Sequence, residues 1–159
     1  MNVRRLRRLR ADEIEPLVDD LWLPFAREMA ELDDYNALQS DVREQAVAYR
    51  RERFEDDDVV TYVALDGAEL VGYASATHES SPPAFSRGDR LSIEEVYVRP
   101  SHRRQGIASE LLDAVEDWGD QRCCSHATLS VNARNDGAQA VYEARGYGIK
   151  RYKMTKSLE

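Results

Sequence analysis

The sequence predicts an α/β protein, and three observations carry that prediction. Strand-like runs and amphipathic helical runs succeed one another along the whole chain. Two strand runs, residues 59–65 and 70–76, meet at Asp66-Gly67, a strong hairpin signal. A strand ending at Val98 passes through a short basic loop straight into a long amphipathic helix. The predicted order is strand, two helices, three strands, helix, strand, helix, strand.

Each element has its own signal. Residues 3–10 read as a first strand. Asp12 with Glu15 three residues later suits a capping box for a helix carrying Ile14, Leu17, Val18, Leu21 and Trp22, and Pro24 is expected to bend or end it. Val42, Ala46 and Tyr49 predict a second helix over residues 40–54, with Asp56, Asp57 and Asp58 at its exit. The helix after the basic loop places Ile107, Leu111, Leu112, Val115 and Trp118 on one buried stripe, with Glu110, Asp113, Glu116 and Asp117 opposite. A strand over residues 127–131 precedes a helix capped by Asn135 or Asp136 and ended by Gly146 at a left-handed position. Tyr147 is expected to open a final strand through Leu158.

Composition narrows the function classes. The chain has 159 residues, the size of one domain, and no composition break marks a second module. It carries 22 Lys plus Arg against 30 Asp plus Glu, a net charge of −8, and its only lysines are Lys150, Lys153 and Lys156. Such an acidic surface repels nucleic acid and favours solubility. Arginines interrupt Val3, Leu6 and Leu9, so no signal-peptide core follows, and nothing has the length of a membrane span; a cytoplasmic protein is the default expectation. Cys123 and Cys124 are adjacent and no spaced Cys/His set accompanies them, so no metal site is expected.

The segment from Val96 to Trp118 carries the most chemistry. The first amides of a helix lack intrahelical partners and sit at the positive end of its dipole, which stabilises a phosphate twice over. Gly106 lets a pyrophosphate approach the backbone, and Arg103 and Arg104 supply forked donors. Neither a Gly-x-x-x-x-Gly-Lys-Ser/Thr loop nor a Gly-x-Gly-x-x-Gly fingerprint is present. The pattern is instead Arg103-x-x-Gly106-x-Ala108 with Val96, Val98 and Pro100 ahead of it, followed by Asn135-x-x-Ala138-x-x-x-Tyr142-x-x-x-Gly146-Tyr147. Together these resemble the two acyl-CoA-side motifs of the GNAT superfamily of N-acetyltransferases.

That resemblance covers most of residues 59–158 and implies a fold, a cosubstrate and a site. The fold is a mixed, mostly antiparallel sheet of six to seven strands with about four helices on both faces, split in a V between strands 4 and 5. Residues 1–58 would form the acceptor side and residues 59–158 the acyl-CoA core of a single domain. Acetyl-CoA would be held by Arg103, Arg104, Gln105, Gly106, Ile107, Ala108 and Ser109 at its pyrophosphate, by main-chain groups of Val96, Tyr97 and Val98, and by Asn135 and Ala138. Tyr142 occupies the position of the acid that protonates the departing thiolate.

Transfer of an acyl group to an amine requires the amine to lose a proton, since an ordinary amine of pKa ~10.4 is protonated at neutral pH. Glu94 is favoured as base or amine-orienting group, with Glu95 in reserve; strand alternation places Glu94 with Val96 and Val98, and Glu95 with Ile93 and Tyr97. The acceptor wall would include Trp22, Phe25, Tyr35 and the Asp33-Asp34 pair, and the loop of residues 79–88 is a candidate flap. Polyamines, aminoglycosides and lysine side chains all suit an acidic protein, so small molecules and proteins both stand as acceptors. Because dimers are frequent in the family, a homodimer is among the partners the resemblance implies. A non-catalytic acyl-CoA-binding module on the same fold is the alternative, against which Glu94 and Tyr142 together argue.

Overall fold

The computed structural model describes residues 4–159. Its centre is a five-stranded sheet in sequence order: β1 (Arg4–Arg8), β2 (Val59–Asp66), β3 (Glu69–Glu79), β4 (Arg90–Val98) and β5 (His126–Leu129). The first four strands pair antiparallel and β5 joins β4 in parallel. β2 and β3 turn tightly at Gly67 and Ala68, between the paired residues Asp66 and Glu69. Five strands replace the expected six to seven. Val3, assigned to the first strand, lies outside the described residues.

The missing element is the closing strand. Residues 145–159 hold no strand, and Ile149, Tyr152, Met154 and Leu158 are exposed. An alternating pattern becomes a strand only where a neighbour's ladder takes up its backbone N–H and C=O groups. β5, with four residues, offers a short edge for that.

Helical structure covers both faces of the sheet. α1 (Ile14–Leu17) runs through a π turn (Val18–Trp22) into α2 (Leu23–Leu32), so the helix does not end at Pro24. Proline falls in the first turn of α2, and the wider turn ahead of it, closed by the Leu23 N–H on the Val18 carbonyl, accommodates a residue that cannot donate. The box at the helix entry is set by Glu13 rather than Asp12 and Glu15: the Glu13 carboxylate accepts from the Arg10 N–H at 2.9 Å and takes both Arg7 terminal nitrogens at 2.8 Å. α3 (Val42–Phe54) completes this face. Leu17, Val18 and Leu21 pack there with Val63, Tyr73 and Tyr97.

The opposite face is covered by α4 (Ile107–Gln121), whose Ile107, Leu111, Leu112 and Val115 are at most 1% exposed and pack on Ala64, Ala74, Ala76, Ile93 and Val98. α5 (Asp136–Ala144) lies against the same cluster through Val141 and Tyr142. Asn135 caps it by accepting from the Ala138 N–H at 3.1 Å, and Gly146 (φ +94°) ends it in the left-handed region.

Two measurements check this packing. Leu111→Ala removes a fully buried side chain and should cost about 3 kcal/mol in urea unfolding, with the cavity left behind contributing. The Arg7 guanidinium holds Glu13 below the usual carboxylate range. A depressed carboxylate contributes stability above its unfolded pKa of about 4.3 and loses it as pH falls through the folded value. The stability advantage over Glu13→Gln should therefore be full at neutral pH and vanish under acid, as read by unfolding midpoints across pH.

Candidate active site

β4 is not regular. Ser75 of β3 pairs with Glu95 while the next residue, Ala76, pairs with Ile93, so Glu94 is the extra residue of a β-bulge. The bulge overturns the alternation expected from the sequence. Ile93 joins the core on the α4 side, with Val96 and Val98, whereas Glu94 and Glu95 both engage α3. Pairing of β4 with β5 stops at the same point: it runs from Arg90–His126 to Ile93–Leu129. From Glu94 to Val98 the β5-side edge of β4 has no strand partner among the described residues, so the sheet is open there.

Both carboxylates are held by arginines. Glu94 accepts from the Arg53 guanidinium at 2.7 Å and from the Thr77 hydroxyl. Glu95 accepts from Arg50, from the Trp22 indole N–H at 2.9 Å and from Ser75 at 3.4 Å. Arg50 is only 7% exposed. Burial opposes its charge, but Glu95 together with Tyr73 and Tyr49 outweighs burial and the net shift is upward. Beside them Tyr73 is fully buried, and burial, followed by the Glu95 charge, pushes its phenol well up.

The loop after β4 leads into the tip of α4, whose Ile107 packs beside Gly72 of β3. Gly106 is its N-cap in the left-handed region at φ +82°, no side chain caps the helix, and nothing lies within 4 Å of where a Cβ would project. The first-turn amides of Ile107, Ala108 and Ser109 have no intrahelical partners. Arg104 is exposed, and its guanidinium has no partner among the described residues. Arg103 differs from expectation. Its Nε donates to the Val98 carbonyl at 2.9 Å, its terminal nitrogen reaches Glu28 at 2.9 and 3.0 Å, and it lies over the Tyr97 ring. It ties the loop to α2 instead of standing free.

α5 is fastened to α4 by the acids of the latter's polar face. Arg145 contacts Asp113 and Glu116 at 2.7 Å, and the Tyr147 hydroxyl donates to Glu116 at 2.7 Å. Tyr142 stacks edge-on against Tyr147 and is half-buried, and burial pushes its phenol up. The loop before α5 reaches the other layer: the Asn132 amide donates to Asp33 at 3.1 Å and Arg134 to the Leu32 carbonyl at 3.0 Å. Of the expected acceptor wall, Trp22 contacts Glu95 and Phe25 packs on Tyr97, while Tyr35 is largely exposed.

Residues 16–147 match the model of the Acetyltransferase (GNAT) family. The chain belongs to that family. It is 26% identical over 155 residues to an aminoglycoside N(6')-acetyltransferase type 1 of Salmonella typhimurium, covering 92% of this chain and 91% of that protein. A streptothricin acetyltransferase of Streptomyces lavendulae is 33% identical over 97 residues, covering 60% and 48%. A predicted acetyltransferase from Clostridium acetobutylicum, solved with acetyl-CoA, shares the fold at a TM-score of 0.78 and 18% identity, covering 98% and 97%. The GNAT assignment makes the chain an acyltransferase. Among the described residues no helix is long and apolar enough to cross a membrane, and no group of three or more His, Cys, Asp or Glu could hold a metal ion.

Sequence reasoning missed Arg50, Arg53, Ser75 and Thr77. One signal was present: Arg50 follows Ala46 and Val47 on the buried stripe of α3, a position where an arginine needs an acid. The Arg50–Glu95 pair gives a direct test. Arg50→Met strands a carboxylate that is only 19% exposed and should cost about 3–5 kcal/mol, whereas adding Glu95→Gln should recover much of that loss in a double-mutant cycle read by urea unfolding.

Proposed function

We propose that this GNAT protein transfers the acetyl group of acetyl-CoA to a primary amine of a small molecule by direct attack in a ternary complex. The observation that carries the reading is the unpaired edge of β4 standing between two carboxylates and the uncapped tip of α4. An extended pantetheine arm fits an unpaired strand edge, and a pyrophosphate fits first-turn amides at the positive end of a helix. In this reading Gln105, Gly106, Ile107, Ala108 and Ser109 hold the pyrophosphate with Arg104, and Arg103 shapes the loop. Val96, Tyr97 and Val98 offer main-chain groups to the arm and the thioester, while Asn135 and Ala138 line its α5 side.

The amine nitrogen attacks the thioester carbonyl carbon. Its proton passes to Glu94, directly or through water, with Glu95 the reserve; a nitrogen–carbon bond forms and the carbon–sulfur bond breaks. Tyr142 then gives its proton to the departing sulfur, and the raised phenol supports this because it keeps the acid form through neutral pH. Direct attack is further supported by the cysteines. Both are free, they follow the C-terminal end of α4, and burial pushes the Cys124 thiol up, away from the nucleophilic thiolate.

The names of the aminoglycoside and streptothricin acetyltransferases support a small-molecule amine as acceptor, as does the net charge of −8. Thiol release with acetyl-CoA and a panel of amines tests the reading, and no release with any of them overturns it. Tyr142→Phe should leave acetyl-CoA affinity intact by calorimetry and lower turnover by ~10², the scale of a lost general acid. Glu94→Gln should flatten the rise of rate with pH.

A further inference from the structure

Residues 148–159, which follow α5, are exposed throughout, and Ile149, Tyr152, Met154 and Leu158 stand 73–92% open to solvent. Tyr152, Met154 and Leu158 are separated by even steps, so an extended tail carries them on one face. Its cations Lys150, Arg151, Lys153 and Lys156 include every lysine of the chain. Against the one acid, Glu159, they give the tail a charge of +3 and leave −11 of the total −8 on residues 1–147. A cationic strand with an apolar face, carried by an acidic protein, is complementary to the protein itself.

The surface that matches it is the free edge of β5. This strand ends the sheet, pairing with β4 on one side and with no strand on the other among the described residues. Its Ala127 and Leu129 join the α4-side core only partly buried, as do Val141, Tyr142 and Tyr147, and Val131 is 37% exposed. The apolar layer is therefore unfinished at this edge. Apolar alternation continues through Ala127, Leu129 and Val131, whereas the ladder with β4 stops at Leu129. A second ladder on the free edge would take up the backbone groups of residues 130 and 131. The chain's own tail leaves the edge empty: the Tyr147 hydroxyl is bonded to Glu116 of α4, and every residue after it is exposed.

We propose that the occupant is the tail of a second copy, residues 151–158 of each protomer adding as a strand to the β5 edge of its partner. This goes beyond the acetyltransferase reading and does not depend on it. Each chain offers one tail and one free edge, so a two-fold exchange closes at a dimer. Main-chain hydrogen bonds join the strands, and Tyr152, Met154 and Leu158 complete the layer that Ala127 and Leu129 leave open.

Sedimentation velocity on the full chain should give a particle of twice the 18.2 kDa chain mass. Met154→Glu in the tail and Val131→Glu beside the edge should each weaken the dimer by about tenfold or more, the scale of one apolar side chain left unburied. Both positions are exposed in the single chain, so neither change disturbs its core. Mixing the two variants should restore part of the dimer, because one sound tail then meets one sound edge. A monomer at every concentration overturns the proposal, and so does a dimer that either variant leaves intact. Loss of the dimer in both variants without recovery on mixing overturns it as well, since the two residues would then share a single contact.

Discussion

One inserted residue organises this molecule. By adding Glu94 to β4 without adding a partner on β3, the bulge sends two consecutive carboxylates to the α3 side and restores Val96 and Val98 to the α4 side. Without it, strict alternation would bury one carboxylate in the apolar layer beneath α4, at a cost no nearby cation offsets. The same point along β4 ends its pairing with β5. Charge and opening therefore share one origin: the strand that exposes its edge is the strand that displays the acids.

An opened sheet needs its flanks tied, and polar contacts between distant parts of the chain do this. α2 is fastened near its end to both rims of the opening: Glu28 takes Arg103 from the loop before α4, while Leu32 and Asp33 hold Arg134 and Asn132 from the loop before α5. On the other side Arg145 and Tyr147 bind α5 to Glu116 and Asp113 of α4. Several of these contacts are half-exposed and individually weak. Their value is geometric: they hold the Gly106 tip, the Tyr142 helix and the acids of β4 in one frame.

The sequence was legible where local rules decide. The Asp66-Gly67 hairpin, the Gly106 entry to α4, the Asn135 cap and the Gly146 stop all depend on backbone and side-chain chemistry within a few residues. It was misleading where the decision is made at a distance. The bulge was invisible because a run of Ile93-Glu94-Glu95-Val96 reads the same with or without an extra residue. The arginine partners of Glu94 and Glu95 lie 41 and 45 residues earlier, so no spacing rule reaches them. Arg103 looked like a phosphate donor because its loop was read alone, whereas its partner Glu28 sits 75 residues away. Residues 151–158 kept the alternation of a strand but found no ladder to join.

The indole of Trp22 has a spectroscopic consequence. The chain contains two tryptophans, and the other, Trp118, is 4% exposed on α4 beneath Arg122. Trp22 instead shares a hydrogen bond with Glu95, so the negative charge and the solvent around that acid act directly on its excited state. Emission from this protein thus contains one constant fluorophore and one natural reporter, and any molecule that disturbs the acid pair writes its arrival into the difference between them without an added label.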